Sequence, residues 1–288
     1  MKILQKLFGE INLSWPKLFI FAVITGVYTG LICQVPFLKY SSFHNIAVSF
    51  ECWILFGVLI IVNSKSNLDS ALKCFVFFLI SQPLVYLVEV PFVGWSIMGY
   101  YRNWILWTLL TFPMGFIGYY MKKDKWWGIM IIAPMLLFLG YHYSGFLHQM
   151  MFSFPLQLLS CVFCIACMFA FVLLIFKNKK IKIAGVIINC AIIAVMTVMA
   201  LRVPPVYSTD IIFSGEETDV FDDSYSVYMT DEKYGDVSIK YDDVIETYLV
   251  HAEFRRSGKT QVILRSPDGE TTVYDVIIKP DTYEVTEQ

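Results

Sequence analysis

Seven stretches of roughly 20 predominantly apolar residues follow one another along most of the chain, each long enough for a helix to cross the hydrocarbon core of a bilayer. They lie at about 17–37, 44–63, 71–92, 104–121, 127–147, 157–176 and 183–201. This succession leaves few folds open, and the charges divide the chain in the same way. Residues 1–202 hold 15 Lys/Arg and 5 Asp/Glu, whereas residues 203–288 hold 7 and 19. A balance of +10 is therefore followed by one of −12: a basic membrane domain, 1–202, precedes an acidic soluble domain, 203–288. The first apolar stretch is long and lacks a small-x-small cleavage pattern, so it is expected to stay as an anchor.

Orientation follows from the short loops. With the N-terminus cytoplasmic, twelve Lys residues fall on the inside, and only Lys39, Arg102 and Arg202 fall outside. "MKKDKWW" and "FKNKKIK" then read as cytoplasmic loops rather than nucleic-acid patches. Seven spans put the C-terminus outside a plasma membrane. The opening "MKILQKLFGEI" has apolar residues at helical spacing (Ile3, Leu4, Leu7, Phe8, Ile11), which suits an amphipathic lead-in on the inner interface.

After "RVPP" the pattern changes to short alternating segments such as "SYSVYM", "ETYLVHAEF" and "KTQVILRS", separated by turn formers such as "RSGK" and "SPDGE". An antiparallel sandwich of six or seven strands is expected. The run "GKTQVILRSPDGETTVYDVIIK" resembles the last strands of bacterial immunoglobulin-like modules. That resemblance implies an interaction or spacer domain with an extracellular partner and identifies no ligand.

Polar residues inside the apolar stretches mark candidate sites, because intramembrane ionisable groups are costly and face an interior or a wet cavity. Under this topology Glu51, Glu89, His142, His44, Arg102, Gln34 and His148 all fall in the outer half of the membrane or at its edge. An outward-facing polar cavity is the expectation. Glu51 is the most demanding of them, too deep for its short side chain to reach the interface, so it needs a histidine, an arginine or a bound cation. Glu89, in "YLVEVPFVGW", can reach the interface or Arg102. "CQVPFL" and "VEVPFV" echo one another and put Gln34 and Glu89 in matching places, as a parallel duplication would. In both, the proline is expected to end its helix.

The seven cysteines all fall in or beside apolar stretches, which leaves the soluble domain without disulfides. "CVFCIAC" invites a metal, but its outer thiols lie about 9 Å apart along a helix, too far for one shared ion. Cys161 and Cys164 with a third ligand from elsewhere remain the candidate; packing by small soft residues is the plainer reading. No cofactor is implied. Protease, hydrolase and nucleotide-binding signatures are missing, and the acidic stretches "GEETDVFDD" and "YDDV" read as solvated surface rather than Ca²⁺ sites. The sequence favours a non-enzyme.

Ala22, Gly26 and Gly30 form two consecutive small-xxx-small steps that permit close helix approach. With compact helices and an outer polar pocket, that stripe is similar to the substrate-capturing subunits of energy-coupling-factor vitamin transporters. The similarity implies a small-molecule binder that docks on a membrane partner subunit through the first helix. The expected function is binding or transport of a small solute or cation. The alternative is a structural or sensory protein whose β domain recognises a cell-surface or protein partner.

Overall fold

A computed structural model describes residues 6–38, 41–203, 205–215, 220–243 and 245–288. Lys2, Ile3, Leu4, Lys39, Pro204, the acidic stretch 216–219 and Val244 lie outside them. Eight α-helices are described: α1 Trp15–Cys33, α2 Ser42–Val48, α3 Phe50–Val62, α4 Asn67–Val93, α5 Met98–Gly118, α6 Trp126–Phe152, α7 Leu158–Ile175 and α8 Lys179–Arg202. Six helical segments are long and apolar enough to cross a membrane; α2 and α3 qualify only as a pair, bent by 52°.

Local chemistry accounts for the helix ends. Pro16 occupies the first turn of α1, where its missing N–H costs nothing. Ser66 caps α4 by accepting from the Asp69 N–H at 3.1 Å, and Asp69 pairs with Lys73 one turn on at 2.8 Å. Contrary to the expectation for Pro91, α4 continues through both Pro83 and Pro91 and stops at Gly94, whose φ of 89° suits a residue without a Cβ. Pro113 and Pro134 likewise sit inside α5 and α6.

The chain divides into two compact units: Met1–Phe146 with Leu158–Met199, and Leu147–Gln157 with Ala200–Gln288. The first is helical, with a core that includes Leu18, Phe77, Leu136, Met168 and Phe171. Phe8 reaches this core, its ring 6.2 Å from that of Phe171, so this part of the lead-in packs inward. The small-residue stripe of α1 is occupied from within the chain. A Cβ on Gly26 would meet the Ser81 carbonyl oxygen at 2.6 Å, and one on Gly30 would meet that of Val85 at 2.6 Å. Ala22 is fully buried as well. The stripe expected to dock a partner subunit packs at Gly26 and Gly30 against α4 of the same chain.

Polar ties gather the loops after α3, α5 and α7 with the segment before α1. Asn63 Oδ1 accepts from the Ile11 N–H at 2.8 Å, and its amide donates to the Leu7 carbonyl at 2.7 Å. Lys122 donates to the carbonyls of Val62 (3.0 Å) and Ser64 (2.7 Å), capping α3. Asp124 accepts from the backbone of Lys177 and Asn178 at 2.9 and 3.0 Å. These four segments share one end of the helical unit.

The second unit holds two antiparallel sheets, built from β1 Tyr207–Phe213, β2 Ser226–Met229, β3 Gly235–Asp242, β4 Thr247–Phe254, β5 Gly258–Arg265, β6 Thr271–Ile278 and β7 Tyr283–Glu287. Their orders are β1-β4-β3 and β2-β5-β6-β7. Alternating residues of both sheets, among them Val250, Ala252, Val262, Leu264 and Val276, meet in one core. A bulge between Asp210 and Ile212 lets the neighbours Ile211 and Ile212 both be buried. The unit begins earlier than residue 203 and takes in 147–157. Phe152 belongs to its core, and the Phe152 carbonyl accepts from the Ser257 N–H at 2.7 Å.

Candidate functional site

The break between α2 and α3 positions the deepest carboxylate. Ser49 is extended (φ −81°, ψ 155°), and its hydroxyl donates back to the Ile46 carbonyl at 3.2 Å instead of capping α3. The first N–H groups of α3 are thus left without a side-chain cap, and Glu51 lies in that first turn, where a negative charge meets the positive end of the helix dipole. Glu51 is 0% exposed. His142 of α6 brings Nδ1 to 2.6 Å from Oε1, a close contact whose angle is not that of an aligned hydrogen bond. Among the described residues, neither oxygen of Glu51 has a hydrogen-bond partner.

The His142 side chain keeps 26% of its exposure and sits among rings: Phe138 at 4.4 Å between centroids, Tyr141 at 5.7 Å and Phe50 at 6.3 Å. Of the side chains expected to partner Glu51, a histidine stands beside it. The Cys164 and Cys167 thiols of α7 lie within charge range of the same carboxyl.

Glu89 has different neighbours. It is buried on α4, with the Cys33 thiol as its nearest electrostatic neighbour and His44 further off. Arg102 is exposed, and among the described residues no carboxylate lies within 4.0 Å of it. Gln34 caps α1, its backbone N–H donating to Leu31 at 3.0 Å. The residue of α1 that meets Glu89 is thus Cys33, not Gln34. His148 belongs to the other unit, with Nε2 2.6 Å from the Ala200 carbonyl oxygen, a position from which it donates. Of the seven polar residues, Glu51 and His142 are in direct contact, and Glu89 is joined to none of the others by an ion pair within 4.0 Å among the described residues.

All seven cysteines are free, and among the described residues no three His, Cys, Asp or Glu side chains gather as a metal shell requires. Cys161, Cys164 and Cys167 are buried on one side of α7. In the β unit, His251 lies opposite Asp210 in the β1–β4 ladder with Nδ1 2.7 Å from Oδ1, an ordinary cross-strand pair.

A cavity of about 250 Å³ opens between α3, α4, α5 and α6. Its walls are aromatic rather than polar: Phe50, Trp53, Phe78, Trp104, Trp107 and Phe138. None of the seven sequence candidates lines it. Its polar members are Gln82, Thr108 and Thr111, which sequence reading passed over because uncharged polar side chains are common in spans. Phe50 and Phe138 also contact His142, so these two rings stand between the cavity and the buried ion pair. No known protein family, characterised protein or solved structure matches this chain.

Proposed function

We propose that the chain is a seven-span plasma-membrane protein, cytoplasmic at its N-terminus and external in its β unit, that binds or transports a small solute or cation at Glu51 and His142. The observation that carries this reading is a fully buried carboxyl group with no hydrogen bond to either oxygen, set at a break in a helix. Such a group is costly in a membrane unless a charge meets it, and broken helices are where transporters expose backbone groups to their substrates. A cation arriving at Glu51 would displace the His142 ring from Oε1 and meet a carboxyl group that makes no hydrogen bond.

Seven crossings are supported by the shared loop end. Residues 7–12 and Asn63 are hydrogen-bonded to one another, so the stretch between them must leave and return. α1 carries the chain away and the bent α2–α3 pair brings it back. The twelve-to-three Lys/Arg asymmetry supports the orientation. Native mass spectrometry of the detergent-purified chain tests the reading. A small ligand or metal retained by the wild type should be lost in Glu51→Gln, together with any uptake into vesicles. Identical spectra for the two proteins would refute it.

A second reading, that the β unit recognises an external partner while the helices anchor it, is favoured by one observation. The orders β1-β4-β3 and β2-β5-β6 match strands B-E-D and C-F-G of an immunoglobulin sandwich, with strand A missing and β7 added beside β6. Under this reading, activity is lost on deleting residues 207–288 and survives Glu51→Gln.

A further inference from the structure

The aromatic cavity carries an inference that does not depend on the role of Glu51. Gln82 of α4 and Thr108 of α5 both line it, and each is only 3% exposed. Among the described residues, the buried atoms Gln82 Nε2 and Thr108 Oγ1 have no hydrogen-bond partner. Nearby Thr111 does not relieve them, since its hydroxyl donates to the Thr108 carbonyl at 2.6 Å. An amide N–H₂ and a hydroxyl left unpaired in an apolar site are a standing cost, which a bound acceptor removes. The amide N–H₂ can only donate and the hydroxyl can donate as well, so a ligand that accepts satisfies both.

The other walls define the rest of the ligand. No charged side chain lines the cavity, so a charged molecule would lose its hydration without compensation. Three tryptophans and three phenylalanines present ring faces and edges suited to a planar ring system. The volume of about 250 Å³ admits one or two fused rings and excludes a large amphiphile. We propose that this cavity binds a neutral, lipid-soluble aromatic carbonyl compound of quinone type, its ring between the aromatic walls and its carbonyl oxygens accepting from Gln82 Nε2 and Thr108 Oγ1. A lipid acyl chain would fill the same space but leave both donors unpaired, which is why the carbonyl compound is favoured.

The test uses the full chain in detergent micelles with 1,4-naphthoquinone as probe and naphthalene as the same ring system without acceptors. Trp53, Trp104 and Trp107 line the cavity and report binding through fluorescence quenching. Saturable quenching by naphthoquinone is expected, with an affinity about tenfold above that of naphthalene. Gln82→Leu and Thr108→Val should each weaken naphthoquinone about threefold to tenfold while leaving naphthalene unchanged. Gly57→Phe should abolish binding of both, because Gly57 lines the cavity and a Cβ there meets only Phe78, at 3.9 Å, leaving room for the ring to enter. Melting curves of each variant separate loss of binding from loss of fold, and Thr108→Val, which preserves shape, serves if Gln82→Leu does not fold. Equal affinity for the two probes would overturn the proposal, as would indifference to both donor substitutions or a tightly co-purifying acyl lipid that naphthoquinone does not displace.

Discussion

Replacing His142 by Phe keeps a ring against Phe138 and Phe50 and removes the imidazole beside Glu51; if the two form an ion pair, this variant is its sharpest probe. Removing one member of a buried ion pair costs about 3–5 kcal/mol, because the other charge is left uncompensated. Glu51 is wholly buried whereas His142 keeps 26% of its exposure, so the lower end applies: about 3 kcal/mol, or roughly a hundredfold in the folding equilibrium. Glu51→Gln alone leaves a neutral amide without good partners and should cost about 1–2 kcal/mol. The double variant has no stranded charge, so it should be more stable than His142→Phe by at least about 1 kcal/mol. Reversible unfolding in mixed micelles with increasing sodium dodecyl sulfate measures all four proteins. Additive losses, with a coupling below about 0.5 kcal/mol, would show that the 2.6 Å approach is geometric proximity only and would remove the support for a charge-bearing site.

Gly30→Leu should destabilise the helical unit by more than the about 1–3 kcal/mol of ordinary overpacking, since its Cβ would meet backbone oxygen at 2.6 Å; unfolding in the same micelles measures this. Asp124→Ala removes the acceptor for two backbone N–H groups at the start of α8 and should cost about 1–2 kcal/mol, with faster hydrogen exchange at Lys177 and Asn178 as the local signature. In the β unit, hydrogen bonds from Gln288 and Gln261 hold the Asp275 carboxyl below the usual carboxylate range. A depressed folded-state value contributes stability above the unfolded value of about 4 and loses it as pH falls through the folded one. Stability of the β unit, followed by tyrosine near-ultraviolet dichroism, should therefore decline below about pH 4, and less steeply in Asp275→Asn.

The succession of apolar stretches and the alternation after residue 206 made the helices and strands legible, because both reflect burial periodicities local in sequence. The break in the second stretch was not legible. "AVSFECW" contains neither glycine nor proline, and the interruption depends on Ser49 turning its hydroxyl back to Ile46. Depth along a helix could be counted from sequence, which is why Glu51 stood out. Azimuth could not, so its pairing with His142, 91 residues away, was one option among several. The stripe at Ala22, Gly26 and Gly30 announced close approach without saying to what, and the partner proved to be α4 of the same chain. Gln82 and Thr108 carried no charge to attract notice, and only the absence of partners around them gives them meaning.

The β unit draws on two stretches of chain, Leu147–Gln157 and Ala200–Gln288, with α7 and most of α8 intervening. Its completion is therefore a matter of timing during synthesis. The segment carrying Phe152 is made first and has to wait, its apolar side chain unclaimed, while two further helices are made. Only when β4 and β5 emerge does Ser257 arrive to meet the Phe152 carbonyl, and only with β7 does the Tyr283 hydroxyl reach the Asp210 carbonyl at 2.6 Å, linking the first strand to the last. A recombinant fragment cut at the point where the sequence becomes acidic would lack the earlier stretch, and would begin life with a hole where Phe152 belongs.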